Sequence, residues 1–423
     1  MQARQKIAII GSGISGLSAA WLLRETYDVV LYEKNAVLGG HARTLTVDYD
    51  GVAIDVDTGF IVFNDRNYPH LNGLFSALDV PFHKSDMSFA ASVSEGGFEY
   101  SSKSLRGIFP TFGALFDTKR YSMMRDYLRF SRAAKRYLHQ ASSSLTLEQL
   151  IALSGVGETF ARGFILPMGA AIWSCPISQM LQYPAETFVR FFDNHGLLDY
   201  NGQPQWYTVT GGSRSYVLRI AAQLAGKIKL GVGVSRVDRT ENGVSVLDNH
   251  GDAQHYDYVV FATHAPEAHA LLHNPSEQES AIIGAFKTLE NLAILHRDAQ
   301  LMPKNKHCWA SWVYLSKLCE DKSPSLAITY WMNLLQNIDT NKPLFVTLNP
   351  TEMPSNALIF DSHKFAHPIF DKQAIDAQKM LPSINGKNRI FWCGAWQRYG
   401  FHEDGIHSAV RVASLLGVKA PWA

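Results

Sequence analysis

Cysteine is scarce in this sequence, and the four residues present, Cys175, Cys308, Cys319 and Cys393, form no CxxC or CxxxxC pair. That scatter argues against a disulfide framework, a zinc site and the dithiol of a disulfide reductase. An excess of charge is lacking as well: 39 Lys and Arg face 38 Asp and Glu, so the balance calls for no nucleic acid. No stretch supplies the roughly 18 uninterrupted apolar residues of a spanning helix. Nor do a charged leader, apolar core and cleavage site precede the strand that starts at Ile7. These absences predict a cytoplasmic chain whose membrane contact, if it has any, is peripheral to the inner face. No repeat is visible, and the longest low-complexity run is Ser142–Ser144.

What the chain does have is apolar mass, 46% of 423 residues, enough for two or three packed units. Residues 6–34 carry a βαβ pattern: a short apolar strand over Ile7–Ile10, a glycine turn, helical spacing over Leu17–Arg24 and a strand over Val29–Tyr32. A second signature spans residues 228–262. There IKLGVGVSRVDR, GVSVLDN and DYVVFAT read as three strands separated by hairpin signals at Asn242-Gly243 and His250-Gly251. A third consists of the strand RIFWCGA and a helix over residues 405–416. The predicted fold class is α/β. A Rossmann-like nucleotide-binding domain is assembled from residues 1–75, 205–275 and 375–423, and an α+β substrate domain, residues 76–204 and 276–374, is inserted twice.

The turn after the first strand is Gly11-Ser12-Gly13-Ile14-Ser15-Gly16, a GxGxxG. Gly11 permits the tight exit from the strand, Gly13 lets a pyrophosphate reach the backbone, and Gly16 lets the helix lie close to the sheet. The helix N-terminus then offers free N–H groups to the phosphates. Glu33, at the end of the second strand, is placed to bind the ribose hydroxyls of an adenosine and would repel a 2′-phosphate. Strand, turn, helix, strand and acid occur in order, which a chance glycine-rich turn would not produce.

The choice of dinucleotide rests on the residues beyond this unit. After Glu33 and Lys34 come LGGHART, with Gly39, Gly40, His41 and Thr44, and VDTGFIVFN, with Gly59, Phe60 and Ile61. These strings resemble the GGRxxS/T and DxG turns of the superfamily of flavin amine oxidases, protoporphyrinogen oxidases and phytoene desaturases. GGSRSYVLRIAAQL, residues 211–224, resembles that superfamily's GG helix entry, so the likeness covers all three nucleotide-binding segments. It implies FAD, held noncovalently in a glutathione-reductase-like domain of the GR2 type. It also implies that Val234 pairs its backbone with the adenine, that Ala262 and Thr263 end a strand beneath the cofactor, and that Gly394 passes close to the phosphates. Asp404, Gly405 and Ile406 would open the last helix, whose amides face the flavin edge where negative charge grows on reduction. Two departures stand out. The superfamily's arginine is His41, which leaves His41 or Arg43 for the phosphate, and Ala395 replaces an acid. The cysteine tether of some members has no counterpart between Gly394 and Ser408, and Cys393 reads as strand packing.

No second GxGxxG provides a site for NAD(P)H, so electrons are expected to enter from substrate and leave to oxygen or another acceptor. Amine oxidases of the superfamily carry a lysine near flavin N5. The register puts Asn291 there, with Lys287 the alternative. Trp309, Trp312, Tyr314, Tyr330 and Trp331 read either as the aromatic core of a sheet or as an apolar wall above the flavin. Asn291, Trp312 and Tyr314 are the candidates for the flavin face. His264, His307, His402 and His407 have no metal-ligand spacing, so no metal site is predicted, and the last two flank the helix that approaches the flavin. A basic helix comes after RGIFPTFGALF, with Tyr121, Met124, Leu128, Ala134 and Leu138 near one face. It reads as a solvated cap or as a contact with anionic lipid.

GFIVFNDRNYPHL, WASWVY, TYWMNLLQ and GFHEDGIHS are similar to strings in the bacterial NAD/FAD-binding flavoproteins that accompany cyclopropane fatty acid synthases. That likeness implies, by association, an acyl-lipid substrate and a fatty-acid-modifying enzyme as partner. The leading expectation is therefore hydride abstraction from a hydrophobic, acyl-lipid substrate by a desaturase or oxidase. Two alternatives stand beside it: a flavin amine oxidase, and a flavin-binding partner of a lipid-modifying enzyme with no turnover of its own.

Overall fold

The computed structural model describes residues 4–93, 96–139, 145–173, 175–199, 203–318 and 324–422, so Cys319 and Ser142–Ser144 lie outside the described residues. A five-stranded parallel sheet runs in the order Ile228–Leu230, Asp28–Glu33, Lys6–Ile10, Tyr258–Phe261, Ile390–Trp392. Parallel strands covered on both faces need apolar side chains on both, and Ile7, Ala8, Ile9 and Ile10 are all buried. Helices Ile14–Leu23 and His402–Leu415 cover one face, where Ile7, Leu17, Val29 and Ile406 share a core. The other face meets a three-stranded antiparallel sheet through Ala8, Tyr32, Val237 and Val246.

The string IKLGVGVSRVDR is two strands rather than one. Gly231, at φ +74°, turns the chain after Ile228–Leu230, and Val234–Arg239 begins the antiparallel sheet. Hairpins fall at both expected dipeptides, since Val234–Arg239 pairs with Val244–Asp248, and the latter with Ala253–Tyr256. The sequence pattern holds no sign of this last strand, because Ala253, Gln254 and His255 are exposed and only Tyr256 turns inward.

The second large sheet has seven strands, in the order Ile359–Ile369, Lys287–His296, Phe345–Leu348, Pro324–Trp331, Trp312–Leu318, Phe89–Val93, Phe98–Ser101. Only the pairing of Trp312–Leu318 with Phe89–Val93 is parallel. Helices between residues 118 and 194 pack against it through Phe130, Phe160, Phe188 and Phe192. Helix Thr118–His139 buries only part of the expected row: Tyr121, Met124 and Leu128 are exposed, whereas Ala134 is buried with Met123 and Phe130, and Leu138 packs partly against them. Polar anchors select that face. Arg120 donates to the carbonyls of Glu99 (2.9 Å) and Ile108 (2.7 Å), and Asp126 accepts from the Gly157 amide (2.9 Å). Among the described residues, no helix is long and apolar enough to cross a membrane.

Candidate functional site

Open α/β sheets bind ligands beyond the carboxyl ends of their strands, and the glycine turn sits there. Gly11 has φ +101°, and a Cβ on it would meet Ala262 O at 2.9 Å; a Cβ on Gly16 would lie 1.9 Å from Gly11 O. A Cβ on Gly13 would meet nothing within 4 Å. The protein itself thus requires two of the glycines, while the third faces open space. Buried Glu33 accepts from the Ser12 amide (3.0 Å), the Ser12 hydroxyl (2.5 Å) and the Asn35 amide (2.8 Å), fixing the turn. Val232 N–H donates to Glu33 O (2.9 Å), which brings the segment leading to Val234 alongside. The Lys34 side chain leaves the site for Glu267, at 2.7 Å.

The LGGHA and DTGF turns lie over this cradle. Gly39 N–H donates to Ser12 O (3.1 Å), and a Cβ on Gly40 would press on Gly13 Cα at 3.2 Å. Phe60 N–H donates to His41 O (2.8 Å), and a Cβ on Gly59 would come within 2.1 Å of that oxygen. Ile61 is buried in the core with Val56 and Tyr330. Asp57, the acid of the DTG turn, is the most connected carboxylate of the region. Asp57 accepts from the Thr44 hydroxyl (2.6 Å), the Ser213 amide and hydroxyl (2.9 and 2.8 Å) and the Gln336 amide (3.0 Å), and burial raises its pKa to about 6. Its signal in the sequence is its place as the acid of the DxG turn. Thr44, expected at the cofactor, therefore commits its hydroxyl to Asp57. Arg43 is committed too, to Asp361 (2.9 and 3.3 Å) and Thr58 (3.1 Å).

The last segment closes the site from the far end of the chain. Gly394 N–H donates to Ser408 Oγ (2.8 Å), and Trp396 covers this turn by donating to Thr263 O (3.2 Å). A Cβ on Gly405 would meet Ile14 Cγ2 at 2.7 Å and Ser15 Oγ at 2.9 Å, so the first turns of the two helices touch. The final helix opens at His402, ahead of the expected Gly405, because Asp404 caps it from within. Its carboxylate accepts from the amides of Phe401 (2.9 Å) and Tyr399 (3.2 Å), and burial raises its pKa to about 6. Gly405 N–H is bonded to Phe401 O (3.1 Å), and Ile406 is buried in the core. The amides without an intrahelical partner are therefore those of His402, Glu403 and Asp404, which corrects the expectation for Gly405 and Ile406.

Imidazoles fill the junction between the two sheets. His41 has its ring centroid 5.6 Å from His264, 5.4 Å from His367 and 4.9 Å from Phe365. On the seven-stranded sheet Leu289 pairs with His367, Asn291 with Phe365 and Ala293 with His363, so these side chains share one face. Asn291 is fully buried; its amide bonds His367 Nδ1 (2.7 Å) and its oxygen accepts from Asn349 (2.6 Å), which assigns the His367 proton to Nε2. Lys287 is exposed and paired with Asp371 (3.3 Å), so Asn291 is the inward residue of the two. Desolvation lowers His367 to about 4 and His402 to about 3, and it holds His41 well below the usual imidazole range. His402 stacks on Phe60 at 3.7 Å and bonds the Tyr216 hydroxyl at 2.8 Å. His307 is exposed and His407 lies against His70, so neither joins this group. The period-two alternation of IFDSHKFAHPI, which places His363, Phe365 and His367 together, is the signal that reveals the cluster. Among the described residues, no group of His, Cys, Asp or Glu is placed to hold a metal ion.

From this junction the same sheet face continues as an apolar floor. His363, Ala293, Leu348, Ile328, Tyr314 and Ala91 form one row across it, and Leu295, Val346, Tyr330, Trp312 and Phe89 the next. Trp312 is half-buried, edge-on to Tyr330 at 5.1 Å. Tyr314 is buried against the helices with Phe89 and Tyr100, three strands from Asn291. The three expected flavin-facing residues therefore do not form one group. Trp309 and Trp331 pack with Phe345 on the opposite face.

Residues 14–296, two thirds of the chain, match the flavin containing amine oxidoreductase family. AofH of Mycobacterium tuberculosis, whose name places it among flavin-containing monoamine oxidases, is 26% identical over 279 residues, or 63% of this chain; the match spans 58% of AofH. Putrescine oxidase bound to putrescine superposes with a TM-score of 0.69 at 15% identity, over 97% of this chain and 98% of that one. A fatty acid isomerase from P. acnes does so with a TM-score of 0.66 at 14% identity, over 97% and 98%. Likeness at such identity is one of fold, the mixed α/β architecture of FAD-dependent oxidoreductases. The glycine cradle and the sequence match agree: this chain belongs to the flavin containing amine oxidoreductase family.

Proposed function

We propose that this oxidoreductase abstracts a hydride from a hydrophobic, acyl-lipid substrate, as a desaturase or oxidase. The observation that carries the reading is the apolar floor running from Phe89 and Trp312 to the buried Asn291–His367 pair. Among the described strands, the register puts one carboxylate on this face, Asp361, and Arg43 holds it. A polyamine would call for several free carboxylates, whereas the side chains of this face are apolar and are packed with Val56, Ile61 and the helices.

FAD supplies the hydride acceptor when bound, and the residues present fit it. The open space at Gly13, the acid at Glu33 and the amides of His402–Asp404 suit pyrophosphate, ribose and flavin edge in turn. The binding is noncovalent, because Cys393 is buried and its thiol is pushed up to about 12. The cofactor domain is of the GR2 type, formed by residues 1–75, 205–275 and 375–423, with the substrate domain in residues 76–204 and 276–374. In this reading the apolar face orients the substrate and excludes water, and the imidazoles, held neutral by burial, place no positive charge beside it. Similarity to the flavoproteins that accompany cyclopropane fatty acid synthases, and a fold shared with a fatty acid isomerase, support a lipid substrate and a fatty-acid-modifying partner in the cytoplasm. Amine oxidation is the second reading, favoured by the name of the mycobacterial relative.

Anaerobic mixing of the holoprotein with acyl phospholipids should bleach the flavin band, while a panel of amines should leave it intact and yield no peroxide in air. Bleaching by amines and by no lipid would reverse the choice.

A further inference from the structure

We propose that the surface built by residues 109–132 docks on an anionic lipid bilayer. It projects large apolar side chains into solvent. Phe112 and Phe116 are 78% and 72% exposed, and Leu115 43%. Helix Thr118–His139 adds Tyr121, Met124 and Leu128 at 50%, 46% and 50%. These three stand at i, i+3 and i+7 and so share one outward stripe. The loop and the helix make a single patch: Phe112 lies 5.5 Å from Phe116, Tyr121 lies 5.5 Å from Phe109, and the Tyr121 hydroxyl donates to Leu115 O at 2.8 Å. Exposed apolar residues of ordinary surfaces are scattered singly, and a contiguous patch marks an interaction site.

Charge selects the occupant. Residues 101–139 contain nine lysines and arginines against two aspartates. Neither aspartate is free, since Asp117 pairs with Arg120 (3.5 Å) and Asp126 is buried on the Gly157 amide (2.9 Å). Arg120 points inward, but Lys119, Arg125, Arg129 and Arg132 remain exposed. Lys119 and Arg125 also line a shallow open cleft with Thr118, Tyr121 and Ser122. Apolar tips bordered by cations match the boundary of a bilayer, where rings enter the acyl region and cations meet lipid phosphates. The inference goes beyond the hydride reading and does not depend on it, because docking is measured without turnover.

The test is sedimentation of the holoprotein with phosphatidylcholine vesicles, with and without phosphatidylglycerol. The protein should pellet with the anionic vesicles and be released by high salt. Phe112→Ser/Phe116→Ser and Lys119→Glu/Arg132→Glu should each weaken binding at least about tenfold, with the melting temperature and flavin spectrum retained. Failure to pellet with anionic vesicles, or binding undiminished in both variants, would overturn the proposal and leave the patch to a protein partner.

Discussion

Asp57 ties together Thr44, Ser213 and Gln336, residues from three separate stretches of chain. Removing it strands buried donors, the circumstance in which a lost hydrogen bond is most costly. Asp57→Ala should lower the unfolding free energy by about 3 kcal/mol in urea denaturation. Lys287→Ala, at an exposed pair, should change it by less than about 0.5 kcal/mol. Comparable losses from both would show that the buried clip has no special weight. Residues of this kind are hard to read from sequence, because their value comes from partners far away in the chain. Glu33 is legible since its partners, Ser12 and Asn35, lie within the same βαβ unit. His363 and His367 become meaningful only once Asn291 and His41 stand opposite them.

At the level of the element, the glycine turn separates a structural demand from a binding demand. Gly16→Ala drives a methyl into Gly11 O, so it should lower both the melting temperature and flavin retention. Gly13→Ala has open space, so the apoprotein should melt as the parent does while FAD affinity falls about tenfold or more. Fluorescence titration of apoprotein with FAD, beside thermal melts, checks both. Unchanged affinity in Gly13→Ala would mean that the phosphates pass elsewhere. Although DYVVFAT joins the parallel sheet rather than the second hairpin, the βαβ unit, the hairpin at Asn242-Gly243 and the position of the second turn are legible because their signals are local. The strand Ala253–Tyr256 is not, since three of its four side chains are exposed. Helix Thr118–His139 is legible as a helix but not in its orientation, because the carbonyls of Glu99 and Ile108 and the amide of Gly157 decide which side faces in.

Across the whole molecule, buried titratable groups set the response to acid. His195, His296, His367 and His407 are lowered by desolvation to about 4 and His402 to about 3. In the unfolded chain they protonate near about 6.5. The unfolded state therefore takes up more protons as the pH falls below that value, and stability present above it is lost toward pH 4. Asp57 and Asp404, raised to about 6, and Glu403, raised to about 7, act in the opposite sense, gaining protons first in the folded state. The histidines outnumber them. The melting temperature should accordingly fall by more than about 5 °C between about pH 7.5 and about pH 5.5, and a flat or rising profile would contradict histidines held neutral by burial.

The parallel sheet places Tyr258–Phe261 beside Ile390–Trp392, strands separated by more than a hundred residues. During synthesis the first emerges from the ribosome long before its neighbour exists. For that interval the nascent chain exposes a bare strand edge, which can recruit other chains as readily as its own. Expression at high rate should therefore favour aggregates, and slower translation or added chaperone should favour yellow, soluble protein.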